Sequence, residues 1–97
     1  MKGKKYIVNN KEVILYPIGA LCEKLERQTQ TVRKWEKRGV IPEPQFRSKT
    51  GKRLYTWEQI EAIAYVVDKY KIKQGTEIPE EFIDDVFEAF RRASEEK

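Results

Sequence analysis

Histidine is absent from the sequence, and cysteine occurs once, as Cys22. The first absence removes histidine-based catalytic dyads and most zinc sites. The second excludes an internal disulfide and leaves no metal-ligand spacing. No apolar run approaches the roughly 18 residues of a membrane span, and no signal-peptide pattern opens the sequence, so a cytoplasmic protein without membrane contact is expected. There is no internal repeat and no low-complexity segment. Asp84 and Asp85 are neighbours on an expected helix and point to different sides, which argues against a metal or acid/base pair. KTGK (Lys49–Lys52) lacks the spacing of a phosphate-binding loop. With no nucleophile–base pair or metal cluster visible, neither an enzyme nor a cofactor is expected.

What is present is charge, and its placement is uneven. The 97 residues fit one small domain, and 39% hydrophobic with 37% charged content suits a helix-rich globule. From Lys24 to Arg53 ten Lys/Arg stand against three Glu, a balance of +7. From Thr76 to Lys97 three Lys/Arg stand against eight Asp/Glu, a balance of −5. A polyanion is the natural partner of the basic middle and would repel the acidic end.

KYIVNNKEVILYP reads as a hairpin, since Asn9-Asn10 tolerate the positive φ of a tight turn between β-formers. Pro17 opens a helix whose Ile18, Leu21, Cys22 and Leu25 follow the i, i+3, i+4, i+7 stripe. Cys22 on that stripe is expected in the core. After a break at Glu26–Gln28, TQTVRKWEKRG gives a second helix with Val32 and Trp35 inward and Gly39 placed to end it. Pro42 and Pro44 then impose an extended path. FRSKTGKRLYT is a second hairpin, carrying Arg47, Lys49, Lys52 and Arg53 around Gly51. A third helix begins at the capping box of Thr56 and Gln59, with Ile60, Ile63, Ala64, Val67 and Tyr70 on one face. KIKQGT (Lys71–Thr76) is a linker containing Gly75, and the last segment is an amphipathic helix with Pro79 near its first turn.

Two short helices joined by a tight turn and followed by a charged hairpin form a winged helix-turn-helix layout, with FRSKTGKRLYT as the wing. The segment from about Tyr16 to Tyr65 resembles the DNA-binding domain of MerR-like regulators and the related excisionase-type winged helices. The likeness rests on the opening Ile18-Gly19, Thr31-Val32-Arg33, Trp35-Glu36, Gly39 with Val40-Ile41-Pro42, and Gly51-x-Arg53-x-Tyr55. Two positions depart from the family pattern: Glu26 stands where the turn usually has glycine, and Gln28 replaces the usual Ser/Thr cap. The resemblance implies a mainly α fold with small β-hairpins, a winged helix-turn-helix plus a C-terminal helix.

In a helix-turn-helix the second helix enters the major groove, and residues near its start reach base edges. Here these are Thr29, Gln30, Arg33 and Lys34, with Lys37 a turn further on. Glutamine can pair with adenine and arginine with guanine through two hydrogen bonds. In the wing, Arg47, Lys49, Lys52 and Arg53 are expected on phosphates or in the minor groove, and Tyr55 either packs beneath the wing or touches a phosphate. The expected division is a DNA-binding domain over 1–70, a linker over 71–76 and a C-terminal helix over 77–97. Phe82, Val86, Phe87 and Phe90 on that helix are the expected dimerisation stripe, because MerR-like proteins pair through the helix after the wing domain. The competing arrangement folds this helix back onto its own domain. The expected function is sequence-specific binding of double-stranded DNA by a small transcriptional regulator, a homodimer with no small-molecule effector. Excision or genome packaging is an alternative process, and a protein-interaction adaptor using the acidic helix is a rival class.

Overall fold

The computed structural model describes residues 2–73 and 77–95. Its elements run β1 (Lys4–Val8), β2 (Lys11–Pro17), α1 (Ile18–Leu25), α2 (Thr29–Lys37), β3 (Phe46–Arg47), β4 (Arg53–Tyr55), α3 (Trp57–Tyr70) and α4 (Glu80–Glu95). The β1–β2 turn is made by Asn9 and Asn10 at φ of 52° and 66°, the left-handed pair that fits the twist of a two-residue hairpin. Gln74, Gly75 and Thr76, the second half of the expected linker, lie outside the described residues, as do 96 and 97.

The two hairpins form one sheet. Tyr16 pairs with Tyr55 and Pro17 with Leu54, giving an antiparallel order of β1-β2-β4-β3. The backbone thus ties the N-terminal hairpin to the basic one, a pairing that strand patterns alone do not announce.

Helix ends follow local chemistry. α1 stops at Glu26, whose φ is 55°, and the amides of Glu26 and Arg27 close onto the carbonyls of Glu23 and Cys22. Glycine would hold this conformation at less cost, so Glu26 is a strained position. Gln28 precedes α2 with no side-chain cap. At the other end, Val40 N–H reaches Trp35 O at 2.8 Å and Gly39 N–H reaches Glu36 O at 3.1 Å, a Schellman closure with Gly39 at φ 75°. α3 starts with the reciprocal Thr56–Gln59 capping box.

Val32, Trp35, Leu21, Cys22, Leu25, Tyr55, Ile60 and Ile63 share one core with Phe82, Val86 and Phe90 of α4. Phe82 is fully buried, edge-on to Trp35 at 6.3 Å and to Tyr70 at 5.7 Å. The expectation that the α4 stripe faces a second copy is therefore corrected for Phe82, Val86 and Phe90. They fill the chain's own interior because the apolar faces of α2 and α3 need a cover. Phe87 alone of the four is exposed, at 41%.

Polar links also fasten α4, among them a Lys69–Asp85 ion pair at 3.7 Å. Gln59, fully buried, donates through Nε2 to Gln45 Oε1 at 2.7 Å and Ser94 Oγ at 3.0 Å, while its Oε1 accepts from Thr56 N–H at 2.9 Å. Tyr70 Oη donates to Asp85 Oδ2 at 2.6 Å, and this bond pushes the phenol pKa from 10.0 up to about 12. A raised phenol pKa stabilises the fold fully below pH 10, and that contribution is lost as pH rises from 10 toward 12. The urea midpoint of the wild type should therefore fall over this window by more than that of Tyr70→Phe. Parallel declines would show that the bond contributes nothing.

Candidate nucleic-acid interface

The amphipathic phase of α2 positions its cations. Val32 and Trp35 anchor the inner side, which leaves Gln30, Arg33, Lys34 and Lys37 exposed along the outer face at helical spacing. Arg38, one residue beyond α2, is also exposed. Thr29 is half-buried and its hydroxyl accepts from the Cys22 thiol at 3.6 Å, so it is partly engaged by the core. Cys22 is buried as expected.

The basic hairpin is ordered by its own turn. Gly51 sits at φ 84°, its N–H bonds Ser48 O at 2.9 Å, and Ser48 Oγ accepts from Lys52 N–H at 3.1 Å. Lys49 and Lys52 are exposed around it. Arg33, Lys34, Lys37, Lys49 and Lys52 have no ion-pair partner among the described residues. Such unneutralised cations are available to an external anion.

Arg47 and Arg53 are held differently. Glu36 on α2, whose side chain is only 8% exposed, accepts from Arg53 Nε and lies 3.8 Å from Arg47 Nη2. This pairing raises the Arg53 pKa further. Arg47 also donates to Gly51 O at 3.1 Å across the hairpin. Arg53, expected on a phosphate, gives its Nε to Glu36 and so ties the hairpin to α2. Arg47, exposed, keeps donors free. Tyr55 is fully buried, and burial pushes its hydroxyl's pKa up. Its expected alternative contact with a phosphate is excluded.

Glu36 and Arg27 are the positioning residues that the sequence did not single out. Glu36 links α2 to the hairpin through Arg53 and Arg47. Arg27, in the α1–α2 turn, donates to the carbonyls of Leu25 and Glu26 and reaches Ile72 O at the end of α3, with its guanidinium 6.0 Å from the Trp35 ring. The only sequence signal for Glu36 was its place beside Trp35 in the family-like motif.

The family model described as "MerR HTH family regulatory protein" matches residues 16–68, more than half of the chain. The chain belongs to the MerR HTH family. Comparison with curated proteins and with solved structures finds no match. The MerR match spans α1, α2, the basic hairpin and most of α3, and so contains every exposed cation described above. It supports DNA binding by a regulator. It ends before α4, which completes the core beneath the matched segment.

Proposed function

We infer that this MerR-family chain binds duplex DNA sequence-specifically, with α2 in the major groove and the β3–β4 hairpin as a wing on the backbone. The observation that carries the reading is the row of unpaired cations on α2 beside a basic hairpin locked to the same helix through Glu36. Gln30 and Arg33, near the start of α2, are the base-reading side chains, and Lys34 and Lys37 flank them on the same outer face. Arg47, Lys49 and Lys52 neutralise phosphates, and Arg53 holds the wing in place. Residues 1–70 then form the binding unit, with α4 as its buttress.

Binding should be dominated by counterion release, with log K falling against log salt at about −0.9 per phosphate contact. Affinity indifferent to salt, or none for any duplex at low salt, would overturn the reading.

A sequence selected from a random duplex pool provides the cognate site for a second measurement. Arg33→Ala should cost about 1–3 kcal/mol on that site and relax preference at one base position. Lys49→Ala should weaken cognate and random duplexes alike. Equal losses on both duplexes for Arg33→Ala would make Arg33 a phosphate contact.

A further inference from the structure

The most exposed aliphatic side chains of the described residues sit together on the N-terminal hairpin: Ile7 is 69% exposed and Ile14 51%. The ladder pairs Lys5 with Ile14 and Ile7 with Glu12, so these four side chains share one face of the sheet. The isoleucines occupy one diagonal of this rectangle, and Lys5 and Glu12 the other. The face continues through Tyr16, which stands opposite the buried Tyr55 and packs on Trp57 at 5.2 Å between ring centres. Gly3 lies on the same face. A Cβ there would come within 2.6 Å of Ile14 Cγ2 and 2.9 Å of the Tyr16 ring. Leu15 and the half-buried Tyr6, Val8 and Val13 lie on the other face of the hairpin, so this face carries an apolar strip that is open at Ile7 and Ile14. Neither Lys5 nor Glu12 has an ion-pair partner among the described residues.

We propose that this hairpin face docks on the same face of a second copy, with a two-fold axis along the Ile7–Ile14 diagonal. Rotation about that line places each isoleucine over its counterpart and brings each of the other two corners close to the opposite one. Lys5 of each copy then lies near Glu12 of the other. The patch is self-complementary in charge as well as in apolar content, which is what a closed isologous interface requires. A face of one charge sign would repel its own copy. Two residues along a strand span about 6.8 Å and neighbouring strands lie about 4.8 Å apart, so the strands of the two hairpins cross at about 70°, close to the orthogonal class of sheet packing. The patch is small, so the dimer is weak and forms only at high protein concentration.

Sedimentation equilibrium of the free protein from about 1 µM to about 1 mM tests this. The wild type should dimerise within the range, and Ile14→Asp should stay monomeric throughout. Lys5→Glu and Glu12→Lys should each weaken association by about tenfold, since each faces like charges across the axis. An equimolar mixture of the two should recover wild-type association, because each mixed pair restores two opposite-charge contacts. Phe87→Asp should leave association unchanged. A wild type monomeric up to the highest concentration, a mixture no tighter than either variant alone, or loss of association in Phe87→Asp would each overturn the proposal.

Discussion

Phe82→Ala should lower the stability of this protein by about 3–5 kcal/mol, whereas Phe87→Ala should cost less than about 1 kcal/mol. The two phenylalanines lie five residues apart on the same helix and look equivalent in sequence. Phe82 has no exposed surface and meets Trp35 and Tyr70 edge-on, so truncation opens a cavity at the junction of α2, α3 and α4. Phe87 keeps 41% of its surface in water and lines a shallow groove with Pro42 and Gln45. A small domain has about 5–15 kcal/mol in total, so the Phe82 change would leave a marginal fold and a DNA-binding unit that melts with it. Urea denaturation followed by tryptophan fluorescence reads both variants. Equal losses, or a neutral Phe82→Ala, would mean that α4 does not seal the core of the free protein.

Glu36→Ala is the second large effect, and its sign on DNA binding separates two accounts. Glu36 is an anion beside a surface proposed to meet phosphates, so simple charge counting makes its removal tighten binding to every duplex. The geometry says the opposite. Arg53 and Arg47 converge on Glu36, and without it the guanidinium of Arg53, only 26% exposed, loses its acceptor and the hairpin its tie to α2. We expect a loss of about 1–3 kcal/mol in stability and about tenfold weaker DNA binding at temperatures where the variant is fully folded. Arg53→Ala should resemble it in stability. Uniformly tighter binding by Glu36→Ala would show that the pair does not position the wing.

Much of this architecture follows from local rules. The Asn9-Asn10 turn, the stop at Gly39, the Thr56–Gln59 box and the apolar phases of α1, α2 and α3 are each encoded within a few residues, because propensity, capping and periodicity act at short range. The outward cations of α2 are legible for the same reason, since their exposure follows from the phase of Val32 and Trp35. The charge division between the middle and the end of the chain also needs no coordinates. Which apolar face meets which is different. Phe82, Val86, Phe87 and Phe90 make one stripe, and periodicity cannot tell a face that covers α2 and α3 from one that meets another molecule. That was decided by the competition among long-range contacts. Tertiary structure also turned Arg53 from a free wing cation into the partner of Glu36, 17 residues away, and buried Tyr55 whole. An isolated charge and a paired one have the same sequence; only the approach of helix α2 to the hairpin, in a setting where a half-buried charge must be neutralised, distinguishes them.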